Sequence, residues 1–281
     1  MVENRPWLTV MSHLVMILGV VLIAFPIWVT FVASTHDQAR MFQAPVPLWP
    51  GAFFLENYRA ILTEGVSASA PPVGRMLFNS LIMALAIAIG KIAISIIAAF
   101  AVVYFSFPLR MTVFWTIFVT LMLPVEVRIL PTYEVIAGLG MLNSYAGLTI
   151  PLIASATATF LFRQFFLSVP DELTEAARID GAGPLRFFRD VLLPLSRTSI
   201  AALFVIQFIY GWNQYLWPLL VTTDQSYYTI VMGISRMVNV LDTTADWSRV
   251  MGTTMLAMLP PVAVVILMQR WFVKGLVETE K

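Results

Sequence analysis

Six long apolar stretches run along the chain, separated by polar segments that carry nearly all of its charge. They extend from about Leu14 to Ser34, Leu77 to Phe105, Met111 to Leu130, Tyr145 to Phe166, Ser199 to Val221 and Val250 to Val273. A hydrocarbon core of about 30 Å needs about 20 apolar residues at a helical rise of about 1.5 Å each, and all six stretches reach that length. Because a spanning backbone must satisfy its own hydrogen bonds, the pattern predicts an all-α polytopic membrane protein with six transmembrane helices. The first stretch resembles a secretory signal in position only. Its apolar run of about 20 residues exceeds the roughly 7 to 15 of a signal core, so it reads as an uncleaved span. Pro26, Pro124, Pro151, Pro218 and Pro260-Pro261 fall within or near spans and predict kinks.

The spans divide the chain into a cytoplasmic N-terminus (1–13), a first span (14–34), an outward periplasmic loop (35–75), a transmembrane block (77–273) and a cytoplasmic tail (274–281). The periplasmic loop is proline-rich, with one helix-like piece near Leu55 to Leu62. Orientation follows from the basic residues on the two sides. Arg5, Arg110, Arg163, Arg178, Arg186, Arg189, Arg197, Arg270, Lys274 and Lys281 lie on one side. Arg40, Arg59, Arg75, Arg128, Arg236 and Arg249 lie on the other. The richer side is the cytoplasmic one, which places both termini there.

Composition narrows the function. Of the 281 residues 59% are apolar and 12% charged, against about 25% charged in a soluble domain. The net charge is +1, and no block of like charges suggests nucleic acid as a partner. There are no cysteines and only two histidines, His13 and His36, so a metal or thiol-nucleophile site lacks its ligands. Both histidines read as interfacial or loop residues, and Trp28, Trp115 and Trp271 as interface anchors. Gly90-Lys91 is the nearest approach to a phosphate-cradling loop, but the earlier glycine is missing and the pair lies inside an apolar run. The chain is therefore expected to bind no cofactor and to hydrolyse no ATP by itself.

The most informative polar segment is the cytoplasmic connection 168–197 between the fourth and fifth spans. Pro170, followed by Asp171 and Glu172, suits a helix start, and Gly181 suits the left-handed residue that ends one. Leu173, Ala176, Ala177 and Asp180 would share one sector. A second short helix begins near Pro184 and places Leu185, Phe188, Val191 and Leu192 at helical spacing. That is more apolar surface than a lone loop needs, so something else should cover it. An amphipathic hairpin lying on the membrane is the plain alternative.

The spacing Glu175-Ala176-Ala177, Gly181, nine residues, then Val191-x-Leu193-Pro194 resembles the E-A-A-x-x-x-G…I-x-L-P coupling loop of type I ABC import permeases. Valine in place of isoleucine is the one departure, and it keeps a β-branched apolar side chain. The runs from Met122 to Pro131, Asn143 to Pro151 and Tyr210 to Pro218 resemble the carbohydrate-importer branch and its maltose-type second permeases. Within that branch, Glu3-Asn-Arg-Pro-Trp7 and the run from Ala154 to Phe166 look most like the permeases of sn-glycerol-3-phosphate importers. The resemblance implies the type I importer permease fold and non-catalytic translocation by alternating access. It also implies a sister permease forming a heterodimer, two ATP-binding subunits carrying the ATP and Mg2+, and a periplasmic substrate-binding protein. Localisation would be the bacterial inner membrane, and the cargo sn-glycerol-3-phosphate or a related glycerophosphodiester, with a neutral sugar or polyol as the alternative.

Candidate pathway residues follow from polar groups among apolar neighbours. Lys91 sits near the middle of the second span, where a charge costs at least about 2.5 kcal/mol unless paired or hydrated. It reads either as a cation facing the pathway or as a buried interhelical contact. Gln207, Tyr210, Gln214 and Trp217 recur on one face of the fifth span with Asn213 nearby, and they either line a wet cavity or hydrogen-bond across helices. Glu126 and Arg128 lie at the outer end of the third span, where Arg128 either guides an anion or ends the helix. A secondary transporter would show inverted repeats and midplane ion ligands, of which there is no clear sign. An intramembrane enzyme would need a nucleophile-base or metal cluster, and none stands out.

Overall fold

The computed structural model describes residues 6–64, 71–238 and 245–278. Outside them lie Glu3 to Arg5 and Lys281; the side chains of Glu126 and Lys274 are likewise not described. Among the described residues every regular element is helical. In order these are α1 (Pro6–Ser34), α2 (Gln38–Met41), α3 (Phe54–Thr63), α4 (Val73–Tyr104), α5 (Arg110–Met122), α6 (Val125–Gly138), α7 (Tyr145–Thr149) and α8 (Ala156–Leu167). They continue with α9 (Asp171–Ile179), α10 (Pro184–Phe187), α11 (Leu193–Leu195), α12 (Arg197–Trp212), α13 (Leu216–Val221), α14 (Ile230–Val238) and α15 (Trp247–Glu278).

Three stretches are continuous helices long and apolar enough to cross a membrane: Trp7–Ser34, Val73–Tyr104 and Trp247–Trp271. The other expected spans are interrupted, and proline chemistry accounts for two of the breaks. Leu123, placed before Pro124, takes an extended conformation (φ −61°, ψ 133°) and separates α5 from α6, because the proline ring disfavours the helical region for the residue preceding it. Pro151 lies in a 3₁₀ turn, Ile150–Leu152, and Tyr145–Leu152 meets Ala156–Leu167 at 47°. Pro184–Leu195 and Arg197–Trp212 form a second bent pair at 71°. Counting each bent pair as one span gives up to five, and the divided α5 and α6 correspond to the third predicted stretch, so the architecture is compatible with six. Pro26, Pro260 and Pro261 stay inside helices.

The chain forms two compact units. One is drawn from Met1–Arg75 and Gly233–Leu259. From Trp7 to Trp28 the apolar side chains of α1 are exposed all round, Leu22 by 69% and Ile23 by 73%, as expected of a helix whose solvent is lipid or another subunit. At its end the loop that follows is fastened by polar bonds. Gly51 N donates to Thr35 Oγ1 (2.7 Å), Trp28 Nε1 to Leu48 O (3.0 Å), and Asn57 Nδ2 to both Ser34 O (2.9 Å) and His36 O (2.8 Å). His36 is thus a loop residue, its Nε2 2.9 Å from Trp49 O.

The other unit is drawn from Met76–Met232 and Pro260–Lys281. Here α4 carries two apolar clusters. Met83 and Ile87 pack with Ile129, Ile136, Leu148, Trp217 and Val221, while Ile96, Ala99 and Phe100 pack with Phe162, Phe166, Phe187, Leu192 and Leu203. Close helix approach depends on glycine: a Cβ at Gly211 would lie 2.9 Å from Ala84 Cα, and one at Gly90 would lie 2.7 Å from Ile153 Cγ2. Buried Asn79 donates to Ser226 O (2.8 Å) and Tyr228 O (2.9 Å) and accepts from Tyr145 Oη (2.7 Å). That satisfies a polar group which would otherwise cost several kcal/mol in an apolar setting.

Candidate coupling segment and pathway cavity

The connection 168–197 is built largely from local rules. In α9, Asp171 and Glu172 occupy the first turn and Arg178 the last, each complementing the helix dipole. Gly181 takes φ +70°. Its N–H donates to Arg178 O (3.0 Å), and Ala182 N–H reaches Ala177 O (2.8 Å). This pair of bonds is the Schellman closure that a left-handed residue after a helix permits. Glu175 and Ala176 are exposed. Ala177 is half-buried against the cluster of Phe100, Phe166 and Leu192.

The second short helix winds differently from the expectation. After α10 the backbone makes a π-helical stretch, Phe188–Leu192, before Leu193, Pro194 and Leu195 resume the α-helix. Pro194 has no N–H to give, and one widened turn absorbs the missing bond. Ser196 closes the segment, its N–H and Oγ both donating to Leu192 O (2.9 and 2.6 Å).

The widened turn also redistributes the apolar face. Phe188, Val191, Leu192 and Leu193 pack against the protein's own core, joined by Phe187. The Phe188 ring centroid is 4.9 Å from that of Phe100, and the Phe187 centroid is 5.3 Å from that of Tyr104. The surface expected to need an outside cover is therefore mostly covered from within. The apolar side chains of the segment that stand furthest outside are Leu185, 79% exposed, and Ile179, 86% exposed. Ile179 was missed because it lies at the last helical position of α9, outside the sector that the sequence picks out. Asp190 is held below the ordinary carboxylate range first by its hydrogen bond from Arg189 (2.8 Å), with Arg186 3.6 Å away.

The second candidate is a cavity of about 340 Å³ lined by Lys91 of α4, Arg128 and Thr132 of α6, Tyr210 of α12, Gln214, and Trp217 of α13, among others. Lys91 is only 6% exposed, and its Nζ lies 3.7 Å from the Tyr210 ring centroid. A desolvated cation over an aromatic face gains about 2 kcal/mol, which does not fully offset a membrane-depth charge of at least about 2.5 kcal/mol. Among the described residues no acidic side chain lines the cavity.

Five of the seven pathway candidates thus meet in one place: Lys91, Arg128, Tyr210, Gln214 and Trp217. Gln207 is buried in α12 away from the lining, and Asn213 is exposed at the end of that helix. α12 stops at Trp212 and α13 begins at Leu216, so helical spacing does not carry across the stripe. Gln214 folds back, Nε2 to Tyr210 O (3.1 Å), and Trp217 Nε1 bonds Gly147 O (3.1 Å). Thr132 and Ser155 complete the wall; they come from segments that carried no polar periodicity.

With both sites in view, the comparison with known proteins is decisive. The family described as binding-protein-dependent transport system inner membrane component matches residues 91–278. The chain belongs to that family. Its relatives include the sn-glycerol-3-phosphate transport system permease protein UgpE of Rhizobium meliloti, 60% identical over 282 residues and 100% of both chains. The proteins of that name from Agrobacterium fabrum and Escherichia coli O1:K1 are 61% and 59% identical, again over 100% of both chains. The fold recurs in a bacterial ABC transporter involved in the import of the acidic polysaccharide alginate. That match has a TM-score of 0.81 at 18% identity, covering 97% of this chain and 99% of the other. Family membership makes this chain an inner-membrane permease subunit of an ABC importer, working with the other parts of such an assembly. The coupling motif, Glu175 to Pro194, lies inside the matched region.

Proposed function

We propose that this chain is one of the two permease halves of an importer for sn-glycerol-3-phosphate or a related glycerophosphodiester, driven by ATP hydrolysis on separate subunits. The observation that carries the cargo is the full-length identity of 60% to permeases of that name. A cavity lined by Lys91 and Arg128, with no acidic side chain among its described lining residues, is in keeping with an anionic cargo. The assembly comprises this chain and a sister permease as a heterodimer, two ATP-binding subunits that hold ATP and Mg2+, and a periplasmic binding protein.

Both termini and the segment 168–197 face the cytoplasm, on the side richer in lysine and arginine. Glu175, Ala176, Ala177, Gly181, Val191, Leu193 and Pro194 build the coupling elbow, and exposed Ile179 and Leu185 are the apolar contacts it offers to an ATP-binding subunit. When the two ATP-binding subunits close, their differential contacts with this elbow shift the permease pair between inward-open and outward-open states. The lever reaches the pathway through α4, which bears Phe100 and Tyr104 at one point and Lys91 at another.

Uptake of labelled sn-glycerol-3-phosphate and of maltose by membranes containing the complete assembly tests this reading. ATP-dependent uptake of the phosphate ester, abolished by deleting this chain, is expected. Uptake of the sugar alone would overturn the cargo assignment.

A further inference from the structure

The cavity of the second unit holds polar groups of two kinds. Three of its neutral donors are engaged: Gln214 donates an N–H to Tyr210 O, Trp217 its indole N–H to Gly147 O, and Thr132 its hydroxyl to Arg128 O (2.7 Å). Lys91 and Arg128 are different. Among the described residues neither side chain donates a hydrogen bond or joins an ion pair, and Lys91 meets only the ring of Tyr210. A neutral sugar has no use for two uncommitted cations, whereas an anionic ester can take both, with the hydroxyls of Ser155, Thr157 and Tyr210 beside them.

We propose that Lys91 and Arg128 form the phosphate subsite of the pathway within this subunit, rather than in its sister, and that they select a small phosphorylated polyol by charge. The inference rests on the permease reading above and adds the location and basis of recognition. A phosphate monoester carries a charge of about −1.5 to −2 and three acceptor oxygens at neutral pH, which two cations with no carboxylate among the described lining residues can match. Guanidinium binds phosphate oxygens through paired N–H groups, and ammonium acts as a point charge. The ring of Tyr210 holds the Lys91 ammonium at 3.7 Å without neutralising it. The volume of about 340 Å³ is near the lower limit of small-molecule sites, which span roughly 300 to 1,000 Å³. A three-carbon phosphate ester fits within it.

The chain contains no cysteine, so Thr132→Cys introduces its one thiol, in the cavity wall. In the assembled complex, the variant is treated with an anionic sulfonatoethyl or a cationic trimethylammonioethyl thiosulfonate, and modification of this chain is followed by mass. The anionic reagent is expected to react at least about tenfold faster. sn-Glycerol-3-phosphate should slow the reaction and glycerol should not. Adding Lys91→Met and Arg128→Gln should remove the preference, while Lys91→Arg should keep it. Equal rates, a preference for the cation, no reaction with either reagent, or no protection by the phosphate ester would overturn the subsite. Phosphate-ester uptake without anion preference would refute the subsite and leave the permease reading intact. Anion preference and protection in an assembly that imports only maltose would instead refute the cargo reading.

Discussion

The ring of Phe188, in the connection 168–197, lies 4.9 Å from the ring of Phe100, nine residues along α4 from Lys91. At about 1.5 Å per residue that places roughly 13 Å of continuous helix between the coupling segment and the cavity. Movement of the connection is thereby tied to the helix that carries the buried cation. Replacing Phe188 with alanine removes this contact and is expected to leave ATP hydrolysis by the assembly running while uptake falls. The ratio of transported cargo to ATP consumed is the measurement. An unchanged ratio would show that force travels by another route.

Gly181 separates conformation from crowding. A Cβ there would meet nothing within 4 Å, yet φ is +70°. The cost of Gly181→Ala is therefore conformational, about 1–2 kcal/mol, and asparagine should be tolerated better because it enters the left-handed region more readily. Uptake by Gly181→Asn is expected to exceed that by Gly181→Ala. The reverse order would mean that something other than the left-handed turn sets the requirement. Asp190→Asn serves as the contrast: its pairing with Arg189 and Arg186 is on the surface, where ion pairs contribute little, and uptake should be nearly unaltered.

Leu185→Ser should weaken association with the ATP-binding subunits without lowering the thermal stability of the permease pair. The side chain is 79% exposed and contributes little to the fold. Co-purification of the subunits after mild detergent extraction, read beside the unfolding temperature, distinguishes a lost contact from a damaged fold.

Asn79 carries the opposite expectation. Alanine there removes the bonds to Ser226 O and Tyr228 O and the acceptor of the Tyr145 hydroxyl, at a cost of about 2–4 kcal/mol. The unfolding temperature of the purified assembly should fall clearly. Gly211→Ala should also destabilise, by about 1–3 kcal/mol of overpacking, since the new methyl would press on the Ala84 backbone.

Much of the coupling segment was legible in the sequence because its determinants are local. A proline and two acids start α9, a glycine ends it, and Pro194 marks the return to the bundle. The facing of the second short helix was not legible. One π turn shifts the register, turning Phe187 and Phe188 inward and leaving Leu185 outside. The apolar ruler located the membrane stretches but could not show that Leu123 and the Ile153–Ser155 break divide two of them. In the cavity, Lys91 was visible as a costly charge and Arg128 as a cation at the outer end of the third stretch. Their meeting depends on packing between α4 and α6, which no periodicity encodes, while Gln207 is buried within α12 and Asn213 lies just past its end at Trp212.

The elbow at Ile179 is expected to face the cytoplasm and to be covered there by an ATP-binding subunit. In a chain without cysteine, Ile179→Cys can be challenged with a membrane-impermeant thiol reagent from either face, with and without that subunit. Rapid labelling from the cytoplasmic face in the permease pair alone, and protection in the full assembly, is the predicted result. Labelling from the outer face only, or equal labelling whether or not the ATP-binding subunit is present, would contradict the account.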